Sequence, residues 1–540
     1  MTGDHFNEVA YDFYKNGIKA SIDNGGSTTL KATAEGHLEV AIHGPRLPFG
    51  SVHTESLEPE FQVDAVYDIN PEQMIETTGI NVPGTTSATI TGDNNLFECS
   101  TGTTAYSFAS LQTKDRLRYR PGQGSIVRYT AVFSEPVASS ILVAGCGTSE
   151  SGFYFGYNGT SFGILHSTGG VREIQTLTIT TASTDTNDYE VELSGTTFNV
   201  TATNNGSTTK TAYEIAQGTY TGWKAEQRGN TVIFLADSVG DKTGSFSIAQ
   251  TGAATPTAGT FAETLAGVAG TDTWIPQSSW NGDKLDGTGA SGITLDPQTG
   301  NVFQIKIQYL GFGGVTFEVE GAFAGNNPDF ITVHSINFPN SQTTTSITQP
   351  SFPYTMSAYS AGSSTDVSVA TGSCAGFVEG KKKLTGPRLT YNRETNGFVS
   401  SAADTYYPLF TVRNDLIHGH NGTERANQSV VNLLSISCSH DDATPIAFYL
   451  IKNATLAGTP DFQAFSTDSC TYWDIAATTC TIDKNEQLLT SIQTGQASGE
   501  TLVLPDDVKL NPGDTITLAA RAVTGNATYV NASLNTREDQ

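Results

Sequence analysis

Two histidines one residue apart, His418 and His420, follow Asp415 in the sequence. On a strand, side chains two residues apart share a face. Both imidazoles could then reach one metal ion, which zinc-type sites require. The flanks, Asn414 and Asn421-Gly422, spell a polar turn equally well. Asp283-x-x-Asp286-Gly287 could offer carboxylate oxygens to calcium. It lacks the spacing of a twelve-residue calcium loop and the Glu that closes one, so an Asp-Gly turn is the plainer reading. Asp185, Asp188 and Glu190 form a second loose acidic group of the same kind. The expectation is therefore no metal and no cofactor, with His418, His420, Asp283 and Asp286 as the candidates against it.

Arg116, Arg118 and Arg120 alternate within Lys114-Asp115-Arg116-Leu117-Arg118-Tyr119-Arg120. On an extended chain they share a face that could grip an acidic neighbour or an anionic polymer. An exposed strand face with local ion pairs is the simpler expectation. Lys381-Lys382-Lys383 reads as a solvated loop. Glycan recognition needs exposed aromatic rings beside Asn or Asp, and the hairpin carrying Tyr154, Tyr157 and Phe162 is the candidate. Glycan hydrolysis needs two carboxylates roughly 5–9 Å apart in a cleft. The four tryptophans, Trp223, Trp274, Trp280 and Trp473, mark no such pair beyond Trp473-Asp474. The phosphate-loop and H-E-x-x-H motifs are missing from the sequence. No catalytic residue is expected.

The elements that would position these residues read almost entirely as strand and turn. Of 540 residues, 55 are glycine and only 15% are charged, with a net charge of −26. So acidic a chain is not a nucleic-acid binder as a whole, because phosphate neutralisation needs Lys and Arg. No run approaches the ~18 apolar residues of a membrane-spanning helix, so no membrane insertion is expected. The first residues show no basic-then-apolar leader pattern. Six cysteines, Cys99, Cys146, Cys374, Cys438, Cys470 and Cys480, contain no C-x-x-C pair. They read as buried thiols, with Cys470 and Cys480 the best candidates for a bridge. Asn-x-Ser/Thr triplets such as Asn158 and Asn421 read as turns.

The fold class expected is mainly β, with an N-terminal extended arm at 1–70, because the strand pattern of 36–43 runs into Pro45, Pro48 and Pro59. A jelly-roll-like β-sandwich follows at 71–350. Its clearest element is 301–320, where Phe303, Ile305, Ile307 and Tyr309 alternate with polar residues, a glycine-rich turn intervenes, and Val315, Phe317 and Val319 alternate again. A small β-β-α-β-β insertion is expected at 176–267. Its helix is signalled by a capping box at Thr211-x-x-Glu214 and a stop at Gly218. Residues 351–384, rich in Ser, Gly and Thr, read as a linker or crossing strand, and 385–540 as a C-terminal β-sandwich.

Several stretches carry a resemblance. "GHLEVAIHGPRLPFGSVHTE" (36–55), "FQVDAVYDIN" (61–70), "LRYRPGQGSIVRYTAVF" (117–133), "GFYFGYNGTSFGILH" (152–166), "NVFQIKIQYLGFGGVTFEVE" (301–320), "LIKNATL" (450–456) and "SLNTREDQ" (533–540) resemble virion-associated structural proteins of tailed phages and large DNA viruses. "TAYEIA" and "GNTVIFLA" resemble a module of phage tail and flagellar proteins. The middle sandwich is similar in texture to concanavalin-type jelly rolls. The resemblance implies a non-enzymatic virion component at the tail, neck, fibre or capsid surface. Its partners would be itself, as a homo-oligomer with a trimer among the options, and other virion proteins. The alternative is a host-recognition protein that binds surface glycan, and after it a glycan-degrading tailspike.

Overall fold

The alternation at 301–320 becomes the spine of the first sandwich. Strands Asn301–Ile307 and Val315–Ala322 pair antiparallel, with Phe303 opposite Val319, Ile305 opposite Phe317 and Ile307 opposite Val315. All six are buried, because period-two alternation puts every second side chain on one face. The structure, a computed structural model, describes residues 57–539 except 82–84, 184–186, 204–205, 252–257, 323–327, 348, 382–385, 396–398, 401–404, 421–422, 442, 484–486, 496–497, 506–507 and 528. Before residue 57 it describes only the antiparallel pair Lys19–Ile22 and Gly26–Thr29. The expected strand at 36–43 and its proline-rich sequel to 50 lie outside the described residues. The chain divides into two units, Met1–Ser56 and Leu57–Gln540.

The protein is mainly β, with one α-helix among the described residues. Two large sheets face each other in the first sandwich. One runs, in spatial order, Thr271–Pro276, Ser161–Thr168, Gly152–Asn158, Ser140–Gly147, Tyr354–Ser360, Ser107–Thr113, Met74–Ile80. The other centres on Ser125–Phe133, which pairs with Asn301–Ile307 on one side and with Ser368–Thr371 and Ser373–Glu379 on the other. Phe133, Phe153, Phe155, Phe303, Phe317 and Phe352 fill the space between.

Three expected boundaries move. Leu57–Asp64 is not arm: it pairs with Ser373–Glu379 and buries Phe61. Pro59 is tolerated because this strand pairs on one side only and the ladder shifts register beside it. Residues 351–384 are not a linker either. They supply three strands, Tyr354–Ser360, Ser368–Thr371 and Ser373–Glu379, and the first bonds to strands on both its sides. Ser357, Ser368 and Ser373 belong to the outward half of an alternation whose inward half is Tyr354, Met356, Ala358, Val369, Cys374 and Val378. The first sandwich therefore runs to about residue 379, not 350.

The insertion leaves and rejoins the sheet through strands that pair with each other, Ser161–Thr168 and Thr271–Pro276. It begins at Arg172 rather than 176 and holds seven strands in two small sheets. Its helix α1, Thr208–Ala216, starts earlier than the expected capping box. Ser207 is the cap, and its Oγ accepts the Lys210 N–H. Thr211 is fully buried and donates to the Ser207 carbonyl, while Glu214 accepts the Thr203 N–H at 2.9 Å. Ala212 and Ile215 close the core over Tyr189, Val191 and Phe234.

The C-terminal region forms a second two-sheet sandwich. One sheet runs Arg388–Thr395, Val530–Asp539, Val430–His440, Gly499–Val503, and the other centres on Tyr407–Asn414, Thr515–Ala522 and Ile446–Lys452. Tyr391, Phe410, Ile436, Phe448, Leu518 and Leu534 form its core.

Candidate functional site

The expected site residues scatter, and each has a structural task. Tyr154, Tyr157 and Phe162 sit where predicted, on the hairpin Gly152–Asn158 and Ser161–Thr168. They are 5%, 6% and 7% exposed, so they form no glycan-facing patch. Tyr157 and Phe162 enter the sandwich core with Phe133. Tyr154 lies on the other face, its ring against Gly147 and Gly152 and its hydroxyl on the Thr148 carbonyl. The strand is buried on both faces, so alternation did not separate core from surface. The hairpin turn falls on Gly159-Thr160, with Gly159 at φ +58°.

Asp283 and Asp286 make turns rather than a cation site. Asp283 accepts the N–H groups of Leu285 and Ser291, and Asp286 accepts that of Thr288. Asp188 accepts the Thr201 hydroxyl, and Asp185 lies outside the described residues. Asp474 accepts three backbone N–H groups, of Asp461, Ala476 and Ala477. His418 and His420 lie on Ile417–His420, which pairs with Thr423–Ala426. The side chain of His420 is outside the described residues. Asp415 does not face a metal with them, being held by two arginines. No group of three metal-ligating side chains occurs among the described residues. All six cysteines are free and buried, with Cys470 and Cys480 in different apolar clusters.

What the structure gathers instead is charge, at the junction between modules. From the insertion, strand Trp223–Arg228 presents Glu226 and Arg228. From the C-terminal sandwich come Arg413 and Asp415. Arg228 Nε lies 2.7 Å from Asp415 Oδ2, and its Nη1 lies 2.6 Å from Glu424. Arg413 Nε donates to Asp415 Oδ1 at 2.8 Å, and its Nη2 to the Gln227 carbonyl. Glu226 Oε1 accepts the Leu416 N–H at 2.7 Å. The guanidinium of Arg228 stacks 4.5 Å from the Tyr472 ring, and that of Arg413 4.4 Å from Phe462. Burial raises the Glu226 carboxyl well above its ordinary range; Arg413 opposes this and Asp415 adds to it. Burial pushes Asp415 the same way, but Arg413 and Arg228 outweigh it and hold Asp415 low. Protonation of Glu226 would leave two arginines facing two carboxylates, Asp415 and Glu424, in a neutral knot.

Apolar contacts accompany this knot. Ile174, Ile233 and Leu235 of the insertion meet Leu416, Ile417 and Ala426. Tyr213 of α1 packs against the cluster of Ile451, Leu456, Phe462 and Ala519. The His418 hairpin is thus a docking element. None of Glu226, Arg228 and Arg413 stood out in the sequence. The available signal was a charge ending an apolar run, Leu409-Phe410-Thr411-Val412-Arg413.

The outer face of the first C-terminal sheet carries a shallow cavity of about 290 Å³. Asn392, Ser437, Ser439, Thr501, Asn531 and Ser533 line it, one small polar residue after another. Tyr529 stands two residues before Asn531 and is hydrogen-bonded with Glu394, whose Oε1 also accepts from Asn531. No family model matches the chain, and no curated protein matches it.

Proposed function

We propose that the protein is a non-enzymatic structural component of a virus particle, at its tail, neck, fibre or capsid surface, assembling with itself and with other virion proteins. The reading rests on the sequence resemblance and on one structural observation, the locked junction. Separate modules in one chain move relative to one another by default unless their interface is large or apolar. Here the buried ion pairs of Arg228 with Asp415 and of Arg413 with Glu226, the cation–π stack of Arg228 on Tyr472 and apolar contacts fix the insertion against the C-terminal sandwich. Fixed modules suit a protein that holds others in place.

The test is the mass of the purified chain in solution, by light scattering, with and without residues 1–56. A discrete homo-oligomer is expected, with the copy number read directly and a trimer among the options. A monomer at all concentrations would overturn the reading.

A second reading, recognition of host surface glycan, is favoured by the polar cavity beside Tyr529. Asn, Ser and Thr side chains can exchange hydrogen bonds with sugar hydroxyls in a shallow site. Glycan-array binding that is lost in Asn531→Ala and Tyr529→Ala would support it. An array without hits would remove it.

A further inference from the structure

We propose that Arg116 and Arg118 hold a small inorganic oxyanion, of the phosphate or sulfate class, where the first sandwich meets the other two modules. The segment 116–120 is extended. Leu117 is buried in the first core and bridges to Phe352. Tyr119 packs edge-on against Tyr309, their ring centroids 4.8 Å apart. The arginines therefore turn the other way, as their alternation predicts, but they are not on an exposed face. Arg118 is 7% exposed and donates Nη1 to the Gln428 carbonyl of the C-terminal sandwich. Arg120 pairs with Glu60 at 2.8 Å and with Asp539 at 3.0 Å.

Arg120 is thus paired with two carboxylates through its terminal nitrogens, though its Nε is unpartnered, and its two neighbours are paired with none. Arg116 Nη1 and Arg118 Nη2 are enclosed, and neither has a hydrogen-bond partner. Among the described residues no carboxylate lies within ion-pair distance of either arginine. The carboxylates nearby are already engaged. Glu150 faces Arg172 of the insertion at 3.6 Å and accepts from Gln428 at 3.2 Å. Asp115 pairs with Lys509 at 2.9 Å, and Glu60 and Asp539 pair with Arg120. Lys114 and Lys224, the latter opposite Asp237, bring further positive charge to the same region. Burial, with Arg118 and Arg172 adding to it, pushes the Arg116 guanidinium down to about 9, which still leaves it charged at neutral pH.

Enclosed N–H groups on two neighbouring arginines, attracted by Glu60, Asp115, Asp539 and Glu150 only beyond ion-pair distance, are costly. Water could accept the free N–H groups but could not neutralise the charge. A tetrahedral oxyanion does both, because guanidinium forks match its oxygens. In a chain of net charge −26, this excess of cations is local and specific.

The full chain would be purified in Tris-chloride buffer without phosphate or sulfate, denatured, and its released anions quantified by ion chromatography. About one phosphate or sulfate per chain is expected, and none from Arg116→Gln/Arg118→Gln. In parallel, protein dialysed exhaustively would be titrated with phosphate at constant ionic strength. A rise of roughly 1–3 °C in unfolding temperature is expected once phosphate exceeds its Kd by ten- to a hundredfold. If the double variant does not fold, Arg118→Lys decides. It keeps the charge but loses the fork, so phosphate affinity should fall at least tenfold. No released oxyanion together with a phosphate response no larger than that of matched chloride would overturn the proposal, and the enclosed N–H groups would then be met by water.

Discussion

Glu226 of the insertion and Asp415 of the C-terminal sandwich share one guanidinium: Arg413 Nε lies 3.4 Å from Glu226 Oε2 and 2.8 Å from Asp415 Oδ1. Both carboxyl groups are buried, yet their affinities for protons are driven apart, Glu226 upward and Asp415 downward. Such a pair makes the contact between modules sensitive to pH in two opposite ways.

The folded state holds a proton on Glu226 that the unfolded chain releases above its ordinary value of 4.5. Its stabilising contribution is therefore complete below that pH and declines as pH rises toward the elevated folded value. Asp415 behaves oppositely, losing its contribution as pH falls below 3.8. Glu226→Gln keeps an acceptor for the Leu416 N–H and mimics the protonated acid. Its unfolding temperature should match the wild type near pH 5 and exceed it near pH 8. Asp415→Asn strands Arg228 and Arg413 and should cost about 3–5 kcal/mol. Thermal unfolding of the three proteins across about pH 5–8 checks both expectations, and parallel wild-type and Glu226→Gln profiles would refute the first.

Truncation separates the first unit from the sandwich. Removing 1–56 stops short of Leu57–Asp64, and the unfolding temperature of that truncation serves as the reference. Removing 1–70 also strips a strand that hydrogen-bonds Ser373–Glu379, together with Phe61 and Ala65 of the core. It should lower that temperature by several degrees and expose apolar surface to a reporter dye. Equal stability of the two truncations would show that Leu57–Asp64 is dispensable.

Much of the β architecture was legible because half-buried strands alternate. Phe303 to Val319 could be placed face by face, and Arg116, Arg118 and Arg120 could be put on one side. What alternation could not reveal was a strand covered on both faces. Tyr154 and Tyr157 look like an amphipathic rim in sequence, but the sheet buries both. Composition misled at 351–384, because Ser and Thr serve here both as loop residues and as the outward half of strands such as Tyr354–Ser360. The inter-module knot was illegible for another reason. Arg228 and Asp415 are 187 residues apart, and no local spacing brings them together.

Gly156 marks a close approach between strands of the first sandwich. A Cβ there would lie 1.8 Å from the Leu142 carbonyl oxygen and 2.9 Å from the Val143 Cα. Both obstacles are backbone on the neighbouring strand, so the sheet itself would have to open. Gly156→Ala should cost about 3 kcal/mol, at the upper end for overpacked cores. Gly159→Ala is the control. Its Cβ would meet nothing nearer than 3.9 Å, and only the φ of +58° opposes it, at about 1 kcal/mol. Chemical denaturation of both variants should rank them in that order.

The six cysteines offer a direct probe of whether the two sandwiches open. All are free and buried, and none is more than 4% exposed. Burial raises each thiol, Cys438 and Cys480 to about 12 and the other four further. Only the thiolate is nucleophilic, so both its scarcity and the packing suppress reaction. With the native protein near pH 8, a thiol reagent should label almost nothing over minutes, and denaturation should release six equivalents. Intact mass without reductant should show no bridge between Cys470 and Cys480, which sit in separate clusters. Slow labelling should then report local opening. Cys470, in the second core, should react no faster than global unfolding permits. Cys480, beside Leu456 on the small pair Thr455–Gly458 and Ala477–Thr481, should react first. Rapid native labelling of Cys99, Cys146 or Cys374 would contradict the packing of the first sandwich described above.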